Sequence, residues 1–132
     1  MAGASGVKVR EAMTERVMTI APERSLREAA QFLTKHKIGA AVIIDPEQPG
    51  PGIITERDIV RALGRGGDPD AERVCDHLTS KATFADGDWS LEEAADAMAE
   101  GGFRHLVVVG DGDVKGIISM RDIIHVWRPE SD

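Results

Sequence analysis

Cysteine is nearly missing from this chain. Cys75 stands alone among 132 residues, which excludes an internal disulfide framework and suits a reducing compartment. No apolar run approaches the roughly 20 residues that a membrane-spanning helix needs. The opening Met1-Ala-Gly-Ala-Ser-Gly6 lacks both the basic and the apolar region of a secretory leader. Positive charge is in deficit, with 16 Lys and Arg against 23 Asp and Glu and a net charge of −7. Broad electrostatic attachment to nucleic acid or to an anionic membrane is therefore not expected. There is no glycine-rich phosphate loop and no nucleophile elbow. His36, His77, His105 and His125 show no zinc-ligand spacing, and Cys75 near His77 lacks further ligands. The expectation is a small, soluble, cytoplasmic protein with no catalytic constellation, no metal and no required cofactor.

What the chain does have is a repeat. Val9 to Ile44 aligns with Val74 to Val109 at an offset of 65, and Gly52 to Leu63 with Gly116 to Trp127 at an offset of 64. In the second block six of twelve positions are identical: Gly52/Gly116, Ile53/Ile117, Ile54/Ile118, Arg57/Arg121, Asp58/Asp122 and Ile59/Ile123. In the first, Ser25-Leu26-x-Glu28-Ala29-Ala30 returns as Ser90-Leu91-x-Glu93-Ala94-Ala95. Self-similarity at a fixed period is the mark of a duplicated structural unit. The repeats run over 8–64 and 71–128, joined by the connector Gly64-Arg-Gly-Gly-Asp-Pro69.

Each copy reads as the same series of elements. A short amphipathic turn (Val7–Met13; Ala71–Leu78) precedes an extended stretch at Met18–Ile20 or Thr83–Phe84. Ser25 and Ser90 each open a Ser-x-x-Glu capping box. Apolar residues then fall at helical spacing, Leu26, Ala29, Ala30 and Leu33 in one copy and Leu91, Ala94, Ala95 and Met98 in the other. Two β-branched runs bounded by turn residues read as strands, Ala40–Ile44 with Gly52–Ile54 and Leu106–Val109 with Val114–Ile118. Closing helices span Thr55–Leu63 and Ser119–Trp127, the second stopped by Pro129. The expected fold is α+β, with two β-α-β-β-α repeats. About 55 residues bury too little surface to stand alone, so the copies are expected to pack as one module about a pseudo-twofold axis.

The segments Gly52-Ile-Ile-Thr55-Glu-Arg-Asp58 and Gly116-Ile-Ile-Ser119-Met-Arg-Asp122 carry the most chemical information. Each sets a hydroxyl and then a carboxylate three residues later, where a strand becomes a helix. Thr/Ser-x-x-Asp is also a plain helix cap. The same geometry presents unpaired amides and partial positive charge suited to a phosphorylated ligand, with a carboxylate able to accept from two ribose hydroxyls. A cap alone requires neither the repeated Arg57 and Arg121 nor the repeated Gly-Ile-Ile strand.

From Val9 to Trp127 the sequence resembles the CBS-domain (cystathionine β-synthase domain) family, in the tandem arrangement called a Bateman module. Val17-Met-Thr-Ile-Ala-Pro22, followed by Ser25-Leu26-x-Glu28-Ala29, is similar to the family's opening. The two Gly-Ile-Ile-[Thr/Ser]-x-Arg-Asp segments are similar to its closing signature. The resemblance implies a regulatory module without catalytic activity, binding AMP, ADP, ATP or S-adenosylmethionine in clefts between the repeats and signalling by a change of shape. It implies ribose contacts from Asp58 with Thr55 and from Asp122 with Ser119. Adenine pockets are implied around Thr19, Ile20 and Ala21, and around Thr83, Phe84 and Ala85. It also implies a homodimer, consistent with apolar residues on the helices beyond what a small core covers. A ligand-free homodimeric scaffold for an unknown downstream protein is the alternative.

The second strand departs from the family pattern. The second repeat keeps the basic pair Arg104-His105 but has Val107 where the family often has proline, and the first has Gly39-Ala40-Ala41. Phosphate charge is therefore expected mainly from Arg104 and His105, with Arg57 and Arg121 common to both copies. Asp111-Gly-Asp113 imitates a calcium loop. Lys115 stands where an oxygen ligand belongs and a strand precedes it, so a hairpin turn is expected. Met13, Met18, Met98 and Met120 are read as packing residues, and Cys75 aligns with Arg10, on a short helix.

Overall fold

A computed structural model describes residues 6–48, 50–77 and 84–127. Leu78, Pro129 and the polar tail fall outside them. The elements in chain order are α1 (Val9–Ala12), β1 (Thr19–Ile20), α2 (Leu26–His36), β2 (Ala40–Ile43), β3 (Gly52–Thr55) and α3 (Glu56–Gly64). A 3₁₀ turn at Val74–Asp76 opens the second series: β4 (Phe84–Asp86), α4 (Leu91–Gly101), β5 (His105–Gly110), β6 (Asp113–Ser119) and α5 (Met120–Trp127). The fold is α+β with two three-stranded sheets, β1-β2-β3 and β4-β5-β6. In each, the first strand is parallel to the second and the third antiparallel.

The local reasons are those the sequence announces. Ser25 Oγ accepts the Glu28 amide at 3.1 Å while Glu28 accepts the Ser25 amide at 3.0 Å. Ser90 and Glu93 repeat the arrangement at 3.1 and 3.2 Å. Leu26, Ala29 and Leu33, and Leu91, Ala94 and Met98, turn the buried faces of α2 and α4 inward. Gly110 and Asp113 pair across a two-residue turn in which Asp111 and Gly112 have φ of 52° and 81°. Positive φ at both positions is what a type I′ hairpin needs, and the calcium-loop imitation is that hairpin.

The compact units cut across the sequence repeats. Among the described residues one unit gathers 6–17 with 84–127, and the other lies within 18–77. Val9 lies in the core with Leu91, Met98, Leu106 and Ile118, whereas Val74 lies in the core with Leu26, Ile43 and Ile54. The backbone bonds are equivalent. Val9 N donates to Trp89 O at 2.8 Å and Arg10 N to Gly87 O at 3.0 Å. Val74 N donates to Arg24 O at 2.8 Å and Cys75 N to Pro22 O at 3.0 Å. Each opening turn thus plugs the loop between the first strand and helix of the other repeat.

Candidate functional site

Two strand-to-helix junctions organise the site. Thr55 Oγ1 accepts the Asp58 amide at 3.2 Å, while Asp58 Oδ2 accepts the Thr55 amide and the Thr55 hydroxyl, each at 2.9 Å. At the second junction Ser119 Oγ accepts the Asp122 amide at 3.1 Å and Asp122 Oδ2 accepts the Ser119 amide at 2.8 Å. The plain helix-cap reading is therefore realised at both. Capping does not exhaust a carboxylate, which offers two oxygens and about four lone-pair sites. These bonds draw on Oδ2 and hold each half-buried aspartate over the first helical turn, where helix-start amides favour negative ligand groups.

The neighbouring strand meets each junction in the same way. Glu56 N donates to Gly39 O at 3.0 Å, and Met120 N to Arg104 O at 2.8 Å. Ala40 pairs with Thr55, and His105 with Ser119. Gly39-Ala40 and Arg104-His105 are thus structural equivalents. The junction of α5 has an exposed Arg104 and a half-buried His105 beside it, where the junction of α3 has two uncharged residues. Arg57 and Arg121 are exposed on the first turns of α3 and α5.

The first strand of each sheet lies one strand further on. Thr19 is opposite Val42, two residues along β2 from Ala40, and Phe84 is opposite Val107, two along β5 from His105. At the usual strand rise that is about 7 Å from the junction row. Thr19, Ala21 and Phe84 are exposed, whereas the Ile20 and Ala85 side chains are buried in the cores. Ile20 and Ala85 therefore serve packing through their side chains and leave their backbone to any ligand. Thr83 falls outside the described residues. One unit brings together Thr19, Ile20, Ala21, Thr55, Arg57 and Asp58. The other brings together Phe84, Ala85, Arg104, His105, Ser119 and the Arg121–Asp122 pair.

One contact behind the second junction escaped the sequence. Thr14 N donates to Ile117 O at 2.9 Å and Ile117 N to Thr14 O at 3.1 Å, laying the segment after α1 against β6. A Cβ on Gly116 would come within 2.6 Å of Thr14 O and 2.9 Å of Met13 Sδ. The motif glycine is there for close approach, and its only sequence signal was its recurrence. Elsewhere, His77 Nε2 lies 2.5 Å from Glu72 Oε1. Desolvation, then the neighbouring Asp76 carboxylate, push the Cys75 thiol up, opposite to the activation of a nucleophilic thiol.

The CBS domain family profile matches residues 9–65 and 74–128. The chain belongs to the CBS-domain family and carries two copies of the domain. An uncharacterized 17.7 kDa protein of Acidianus ambivalens is 36% identical over 118 residues, covering 88% of this chain and 70% of that one. The chain spans between 41% and 70% of the length of the first three curated relatives it matches. A crystal structure of a CBS-domain protein from Agrobacterium tumefaciens has a TM-score of 0.82 at 31% identity, covering 92% of this chain and 96% of that one. A CBS domain protein from Pyrobaculum aerophilum, complexed with AMP, has a TM-score of 0.77 at 28% identity, covering 88% and 89%.

Proposed function

We propose that this CBS-domain pair is a non-catalytic regulatory module that binds an adenosine nucleotide and signals by a change of shape. The observation that carries the reading is the duplicated capped junction, which holds a carboxylate over amides suited to phosphate, twice in one chain. The AMP in the Pyrobaculum aerophilum relative supports the ligand class. In this reading Asp58 with Thr55, and Asp122 with Ser119, take the ribose hydroxyls. Arg57, Arg121, Arg104 and His105 supply phosphate charge. Adenine lies along the first strands, at Thr19, Ile20 and Ala21 or at Thr83, Phe84 and Ala85. Signalling requires only that the ligand favour one arrangement of the module over another.

Homodimerisation belongs to the same proposal. Val60 is 66% and Ile124 57% exposed, at corresponding positions of α3 and α5, and Leu63, three residues after Val60 on α3, is 45% exposed. Paired copies would cover these side chains, and light scattering should give twice the 14.2 kDa chain mass. No helix among the described residues is long and apolar enough to cross a membrane, in keeping with a proposed cytoplasmic role.

The test is a thermal-shift panel over AMP, ADP, ATP and S-adenosylmethionine. A ligand at 100 times its dissociation constant adds roughly 2.7 kcal/mol and raises the melting temperature by several degrees. No shift with any of them favours the second reading, a ligand-free homodimeric scaffold in which Asp58 and Asp122 serve only as caps.

A further inference from the structure

The two junctions are equivalent in backbone and opposite in charge. Glu56 N donates to Gly39 O and Met120 N to Arg104 O, so Glu56 and Met120 hold the same place at the start of α3 and α5. The first turn of α3 carries two carboxylates, Glu56 and Asp58, with Arg57 between them. That of α5 carries Asp122 alone, after Arg121. The paired strands extend the difference, with Gly39-Ala40 beside α3 and Arg104-His105 beside α5. The α3 junction therefore has one net negative charge, and the α5 junction one net positive charge with His105 neutral. Glu56 is exposed, as are Arg57, Arg104 and Arg121.

We infer that Glu56 sets the ligand class of the α3 junction, which selects an adenosyl compound with a positively charged 5′ group, of the sulfonium type, and disfavours phosphate. The inference rests on the adenosine-ligand reading above and assigns different members of that class to the two junctions. A carboxylate in the first turn already satisfies the helix-start charge that would otherwise favour phosphate. With ribose held by Asp58, a 5′ phosphate at this helix start meets a second like charge at Glu56, and no counterpart of Arg104 or His105 offsets it. A sulfonium is attracted by the same pair of carboxylates. At the α5 junction Met120 brings no charge, and Arg104 can pair with phosphate oxygens. Glu56 also has a purely local use, since an acidic residue at a helix start stabilises the helix. That use alone changes melting but not which ligand is preferred, so the two roles are separable.

Three ligands that share adenosine test the assignment: S-adenosylmethionine, its neutral thioether analogue S-adenosylhomocysteine, and ATP. Each is titrated by calorimetry into the parent, Glu56→Met and Met120→Glu, at low and high salt, with thermal unfolding alongside. At low salt the parent should bind S-adenosylmethionine about threefold to fivefold more tightly than the thioether, the size expected of an exposed ion pair. Glu56→Met should erase that preference, and high salt should shrink it in the parent. Met120→Glu should weaken ATP binding by a similar factor and leave the thioether unchanged. A parent that does not distinguish sulfonium from thioether, or a preference that survives Glu56→Met, overturns the inference, as does ATP affinity unmoved by Met120→Glu. A Glu56→Met variant altered only in melting temperature overturns it too and leaves Glu56 a helix-start residue, while ATP binding by the parent still upholds the nucleotide reading. If none of the three ligands binds, both fall.

Discussion

Oδ2 of Asp58 holds both the amide and the hydroxyl of Thr55, at 2.9 Å each. One atom closes the start of α3 and also fixes where the carboxylate stands relative to the helix amides. The cap and the proposed ribose acceptor are the same group, and Asp122 shares that double role beside Ser119. Substitutions at either aspartate therefore have two effects, which can be measured apart.

Asp58→Ala and Asp122→Ala should each lose part of a cap, at a cost of about 1 kcal/mol, or about 4 °C in melting temperature. Each should also weaken adenosine-nucleotide binding by tenfold or more through loss of a charge-assisted hydrogen bond. The Asn variants keep a cap acceptor but not the charge, so they should melt close to the parent yet still bind weakly. Calorimetric titration alongside thermal unfolding separates the two. Parental affinity in all four variants would remove the ribose assignment.

Arg104→Ala should weaken ATP binding far more than adenosine binding, because guanidinium–phosphate pairs are charge-assisted and often bidentate. Added salt should narrow the gap. The equivalent position in the first repeat is Gly39, so the two junctions should differ in their preference for phosphate. Equal losses for ATP and adenosine would make Arg104 a positioning residue for the pocket.

Glu28 lies below the ordinary carboxylate range because the Ser25 amide donates to it and Arg24 pairs with it at 2.9 Å. A carboxylate whose folded pKa is lowered stabilises the fold above its unfolded value of about 4.3, and loses that contribution as pH falls through the folded value. Glu28→Gln should therefore melt below the parent at neutral pH, with the difference closing in acid. A gap that persists undiminished at about pH 3 would show that charge on Glu28 is not the cause.

Gly116→Ala should destabilise the fold by about 1–3 kcal/mol, the usual range for forcing atoms into a packed site. Its Cβ has Thr14 O at 2.6 Å to contend with, and a backbone atom cannot swing aside. Denaturant unfolding at unchanged m-value measures it. Wild-type stability would mean that the segment after α1 yields easily.

Most of the architecture was legible because it is written in local signals. Ser25 and Ser90 name their helix starts, and the β-branched runs name the strands. Asp111-Gly112 names the hairpin. The junction residues were legible through their recurrence. What could not be read was where the opening turns go. Val9 and Val74 announce that they are buried but not against what, since the amide bonds to Trp89 and Arg24 are made by backbone, which carries no sequence code. The cap and ligand readings of Asp58 were likewise inseparable in sequence, because both ask for the same atoms. Helix α2 ends within His36-Lys-Ile-Gly39, and the left-handed residue there is Lys37, with φ of 55°, in place of a glycine.

The exchanged opening turns bear on how the gene may be divided. A break in the connector after Gly64 would send Val9 away with one half and Val74 with the other, although each completes a core formed by the opposite fragment. Neither half expressed alone would contain every piece of a compact unit, whereas both halves produced together would. Protein-fragment complementation at that connector should therefore work in trans and fail in isolation.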